Sequence, residues 1–163
     1  MPDDTDDIAR RALAIAAALG SADPGEKAAA RRMDERGSPI FWRLVARLGI
    51  PPREEPGWLR FTRMVAELTP AAATGSIHDG ERRLGAVLAE ARCSELRLAR
   101  LIAARGNARL EAFERAIRMI ARQRPKLDVV DLARSVFGRH GNRLARDYYT
   151  HLDRTPTQEV EDA

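Results

Sequence analysis

The stretch "SELRLARLIAARG", residues 94–106, reads as an amphipathic helix. Ser94 stands where an N-cap belongs, and a glycine, Gly106, offers a stop. Leu98, Leu101 and Ile102 recur at the three-and-four spacing that gathers side chains on one helical face. Arg97, Arg100 and Arg105 are set between them, with only Glu95 as a local acid. A helix with so much fixed positive charge beside so apolar a face is either ordinarily solvated or turned toward something anionic.

The same period runs outward in both directions, and strand-like alternation is absent. Ile8, Ala12, Ile15 and Leu19 predict a first helix stopped by Gly20. Asp23-Pro24-Gly25-Glu26 combines an N-cap acid, a proline at the first helical position and a glutamate three residues past the cap, so a second helix is expected up to Gly37. Ser38-Pro39 opens a third, closed by Gly49, and the prolines of "IPPREEPG" make a loop before a fourth carrying Trp58, Phe61, Val65 and Leu68. "PAAATGSIHDG", residues 70–80, loses the period. Beyond it lie helices marked by Leu84, Val87 and Leu88, by the opening stretch, and by Leu110, Phe113, Ile117 and Ile120. A further one is capped by Asp128, and "RLARDYYTHL" forms the last. The expected fold is all-α, with eight or nine helices in two small bundles. Residues 1–70 and 80–154 would form the bundles, 71–79 a hinge and 155–163 a flexible acidic tail.

The chain has 163 residues and a hydrophobic fraction of 44%, enough for a core. No apolar run reaches the length of a membrane span. The acidic start "MPDDTDDIARR" is unlike a targeting peptide, and the single cysteine, Cys93, permits no intrachain disulfide, so a cytoplasmic setting is expected. The net charge of +4 understates the local imbalance: 25 of the 28 basic residues but 15 of the 24 acids lie between Arg31 and Arg154. Only Lys27 and Lys126 are lysines. Arginine offers a planar fork that matches phosphate. A GC-rich coding bias explains the preference for arginine equally well, but not the excess of charge.

No arrangement of residues builds an active site. His78, His140 and His151 pair with no ligand at helical spacing, Cys93 has no neighbouring histidine, and phosphate-cradling glycine motifs are absent. No catalytic residue, metal or cofactor is expected. Asp6, Asp7, Asp128 and Asp131 fall at predicted helix starts, where capping accounts for them. His78-Asp79 reads as a surface turn.

The arginines can be placed. On the helix that contains Leu110, a 100° step puts Arg115, Arg118 and Arg122 opposite the apolar arc, together with Glu111 and Glu114. Intrahelical pairs Glu111–Arg115 and Glu114–Arg118 would explain that face as solvated. Arg31, Arg32 and Arg36, and also Arg60 and Arg63, outnumber their local acids. Uncompensated arginines on several helices are the footprint of phosphate-backbone binding. Most of the few aromatics fit core positions, so affinity should be electrostatic and largely independent of base sequence.

The ordered segments "GEKAAARRM", "SPIFWRLV", "RLGAVLAEARCSELRLARLIAARG", "ERAIRMIA", "KLDVVDLARSVF" and "RLARDYY" resemble the CasB family, the small subunit of the type I-E CRISPR surveillance complex Cascade. The resemblance spans roughly residues 8–152. It implies two helical bundles and a non-catalytic subunit that sits with a second copy of itself in the complex. The implied partners are CRISPR RNA and target DNA, together with the large, backbone and guide-processing subunits. Basic positions of the family pattern have counterparts in Arg32, Arg53, Arg97, Arg115, Arg139 and Arg143. Arg100 and Arg118 join them as candidates on the same helices. Two departures stand out: Val129 replaces a frequent aromatic, and residues 70–80 lack a basic residue that some relatives carry. Two other readings compete, a free-standing helical DNA-binding regulator built around "LDVVDLARSVFGRHGNRLARDYY" and a helical adaptor for an acidic protein.

Overall fold

The computed structural model describes residues 4–154, and the expected acidic tail lies outside them. The fold is all-α. Among the described residues there are nine α-helices: α1 (Asp4–Ser21), α2 (Pro24–Arg32), α3 (Pro39–Leu48), α4 (Glu55–Leu68), α5 (Leu84–Glu90), α6 (Glu95–Ala103), α7 (Gly106–Ala121), α8 (Val129–Val136) and α9 (Arg143–Arg154). One 3-10 turn, Pro52–Glu54, precedes α4.

The local start signals operate as their chemistry requires. Asp23 accepts from Glu26 N, Ser94 from Arg97 N, and Asp128 from both Val130 N and Asp131 N. Gly49 closes α3 in the left-handed conformation.

Three boundaries differ from the sequence pattern. Helix α1 runs through Gly20 because the loop backbone crosses it there: a Cβ would stand 2.3 Å from the carbonyl carbon of Gly75. Helix α2 stops at Arg32 instead of reaching Gly37. Met33 turns extended to bury its side chain, and Asp34 then holds the following turn by accepting from Arg36 N. Gly106 does not end α6 but opens α7, since Ala104 and Arg105 are extended.

Helix α4 lies at the centre, with Trp58, Phe61, Met64, Val65 and Leu68 buried. It packs on α1, α2 and α7, while α1 reaches α8 and α5 lies along α9. Trp58 and Phe137 rings meet 4.7 Å apart, tying α4 to the end of α8. One apolar cluster thus runs from Ile8 to Tyr148 through helices on both sides of residues 70–80.

The segment between α4 and α5 carries no helix, yet it is fastened. Lys27 of α2, buried, donates from Nζ to the carbonyls of Ala71 and Ala73. Ile77 is buried, and Asp79 N and Leu127 N bond to Leu127 O and Ile77 O respectively.

Candidate nucleic-acid interface

Helices α6 and α7 meet along a groove of about 390 Å³. Arg97 and Arg100 reach it from α6, Arg115 from α7, over a floor that includes Leu101, Ala116 and Met119. All three arginines are exposed. None of the residues lining this groove is acidic. Arg97 rests its guanidinium on the Met119 sulfur at 3.4 Å, while Arg100 and Arg115 make no ion pair with a described side chain. The intrahelical pair expected for Arg115 is missing because Glu111 accepts from Asn107 instead. Arg105, the third arginine of the opening stretch, is spent locally: it donates to the carbonyls of Ile102 and Ala104 at the end of α6.

A second concavity, about 320 Å³, opens where α2, α4 and α7 converge. Arg31 and Arg32 stand on one wall, Arg63 on another and Arg118 on a third, with Glu67 and Glu114 beside them. Arg60 and Arg63, which outnumber their local acids along the chain, meet an acid from another helix in the fold. Glu114 is buried, not shared with Arg118: its carboxylate takes Arg63 Nη2 at 2.5 Å and lies 3.6 Å from Arg60 Nε. Arg63 also donates to Met33 O. Two arginines that look uncompensated along the chain therefore share one carboxylate across α4 and α7. Arg118 donates only to its own helix at Glu114 O, and Arg32 is left exposed without an ion pair among the described residues. Arg115 and Arg118 are neighbours at i,i+3. They join the two concavities into one band of guanidinium groups across α6, α7 and α2.

Arg139 and Arg143 lie apart from this band, at the corner between α8 and α9, in an open depression that Arg146 completes. Arg146 stands at i,i+3 from Arg143, a spacing that places the two side by side on α9. Each predicted residue has an acid near it: Arg139 pairs with Asp4 at 3.0 Å, and Arg143 Nε lies 3.9 Å from Asp147. Arg53, exposed on the 3-10 turn, shares a separate pocket with Arg139. The eight candidate positions thus divide into a band (Arg32, Arg97, Arg100, Arg115, Arg118), a compensated corner (Arg139, Arg143) and the separate Arg53, which shares a pocket with Arg139.

The corner is built on a buried contact that the sequence did not announce. Asp131 is 2% exposed and, against the expectation from its place at a helix start, does not cap α8, whose cap is Asp128: its Oδ2 accepts from Leu84 N at the start of α5, and its Oδ1 lies 2.6 Å from His140 Nε2. His78 likewise is no free surface turn, since its Nδ1 accepts from Val129 N. Burial holds the His140 imidazole below its ordinary range, against the pull of Asp131, and Arg143 and Arg134 push the same way as burial. The folded state then refuses a proton that the unfolded chain takes up near pH 6.5. Stability is therefore complete above that pH and falls as the pH drops through it. Melting temperature should decline between pH 7 and 5.5, and His140→Asn should flatten that decline; an equal slope in both proteins would contradict this assignment.

Cys93 is buried, and burial pushes its thiol up, away from the reactive thiolate. No group of three metal-ligating side chains occurs among the described residues. No helix among them is long and apolar enough to cross a membrane.

Neither a curated protein nor a solved structure matches the chain. A family model does, described as CRISPR-associated protein Cse2, over residues 6–149. That match covers most of the chain and all but the ends of the helical core that presents the arginine band. The chain belongs to the Cse2 family, also called CasB, the small subunit of the type I-E Cascade complex in CRISPR defence.

Proposed function

We propose that this subunit binds nucleic acid through the band formed by Arg32, Arg97, Arg100, Arg115 and Arg118, without base specificity and without catalysing a reaction. One observation carries the reading: the α6–α7 groove is lined by three exposed arginines and no acid. Guanidinium groups held this way gain by binding phosphate oxygens and releasing counterions. Within Cascade the surface would stabilise the guide–target duplex and the displaced strand. Arg139 and Arg143 would add weaker contacts, since their acids compete, and Arg53 would add one apart from the band. The protein partners on this reading are the large, backbone and guide-processing subunits and a second copy of the chain.

The test is Arg97→Ala, followed by thermal melting and by titration with single-stranded DNA at two salt concentrations. Stability should stay within about 0.5 kcal/mol of the parent, because Arg97 is exposed and makes no ion pair. Affinity should fall for all sequences alike, and the salt slope should drop by about one unit. Unchanged affinity with an unchanged slope would defeat the assignment.

A further inference from the structure

We infer that Trp42 is a base-stacking platform: it receives one unpaired base of a phosphodiester strand whose backbone crosses the arginine band at Arg32. The inference rests on the nucleic-acid reading above and adds to it a contact of a different chemical kind.

The chain has two tryptophans, and the structure treats them oppositely. Trp58 is 2% exposed in the core, whereas Trp42 on α3 is 42% exposed. An exposed indole is often loosely held, but this one is fixed along its polar edge. Its Nε1–H donates to Arg36 O at 2.7 Å. Gly37, in the left-handed region, lies directly beneath, where a Cβ would stand 2.7 Å from Nε1. The buried Phe41 ring meets the indole edge-on at 5.1 Å. The donor is satisfied and the ring oriented, so the open part of the ring offers apolar π surface at little further cost in ordering.

Its position connects it to the band. The residues that hold the indole, Arg36 and Gly37, belong to the connector that leaves α2 at Arg32, on the wall of the second concavity. Arg36 is four steps along the chain from Arg32, at most about 14 Å. Asp34 and Glu35 lie in that connector with Arg36, and Asp34 Oδ2 is 3.8 Å from Arg36 Nε, so the connector that holds the ring carries no excess of positive charge. That combination suits a base, which is uncharged and flat, beside a band that suits its phosphates. A duplex hides its base faces, so the occupant is a single strand.

The experiment uses the intact protein and its own fluorescence, since Trp58 is shielded. The probes are a 15-nucleotide oligo-dT, a 15-nucleotide oligo-rU and an abasic deoxyribose-phosphate strand of equal length. Oligo-dT should quench and shift the Trp42 emission, and the abasic strand should bind without doing so. Trp42→Ala should lose the quenching and weaken oligo-dT binding about tenfold, while its affinity for the abasic strand and its salt slope stay at parental values. Trp42→Phe, which keeps a ring, should recover part of the affinity, and an unshifted melting curve would show that each variant folds. A stronger response to oligo-dT than to oligo-rU would identify displaced DNA as the source, the converse RNA. If the parent binds oligo-dT without quenching and Trp42→Ala binds it equally well, the inference fails while the arginine reading stands. If no strand binds the parent protein, both readings fall together.

Discussion

Gly85→Ala should melt roughly 6–12 °C below the parent protein. In most helices the change would be favourable by about 0.5–1 kcal/mol, because alanine loses less backbone freedom on folding. Here the sign reverses. Helices α5 and α9 approach so closely at Gly85 that a Cβ would stand 2.5 Å from Leu144 O, 2.7 Å from Tyr148 N and 2.8 Å from Asp147 Cβ. Two of those atoms are backbone, which cannot swing aside as the end of a side chain can. The helices must separate, stripping contacts from Leu144 and Tyr148, both buried, and from the Tyr148 hydroxyl that donates to Cys93 O. Overpacking of this kind costs about 3 kcal/mol. Gly75→Ala is the control, since a Cβ there meets nothing within 4 Å and should leave the melting temperature level or slightly raised. Equal melting of Gly85→Ala and the parent would mean the two helices are not in this register. Because α9 carries Arg143 and Arg146, the variant should also weaken any anion binding at that corner while sparing the α6–α7 groove.

Lys27→Ala should cost about 3 kcal/mol, an effect foreign to most lysines. Lys27 is 1% exposed. Its ammonium group is held by two carbonyl oxygens, Ala73 O at 2.5 Å and Ala71 O at 3.2 Å, and by no carboxylate among the described residues. The stem fills space between α2 and the segment after α4, so truncation leaves a cavity and also frees both carbonyls. Lys27→Met, which keeps the volume, should cost less, about 1–2 kcal/mol, because the loop can turn those carbonyls to water. The chain's other lysine, Lys126, is exposed, and Lys126→Ala should stay within about 0.5 kcal/mol. Hydrogen exchange should separate the cases further: amides of residues 71–79 should lose protection in Lys27→Ala before the helices do. A uniform loss of protection, or none, would show that Lys27 does not anchor this segment.

Local chemistry carried most of the fold. Asp23, Ser94 and Asp128 bond to amides two or three residues away, so a reader of the chain finds those helix starts without knowing what packs on them. The apolar stripes on α4 and α7 appear for the same reason, since a helix face is a property of spacing alone. The excess of positive charge between Arg31 and Arg154 is likewise a property of the sequence.

Tertiary structure decided which arginines remain available. Arg63 and Glu114 are 51 residues apart, and Asp131 meets Leu84 N across 47, distances over which no helical periodicity operates. Arg60 and Arg63 look free in sequence and share the buried carboxylate of Glu114; Arg115 has Glu111 and Glu114 nearby in sequence and is free. Glycine is equally mute in the chain: Gly20 and Gly85 sit inside helices because another backbone passes within contact of them, and only the packing of one helix on another says where that happens. Periodicity tells which side of a helix faces inward, but the identity of the facing residue is a matter of which elements meet, and that is set by the whole core at once.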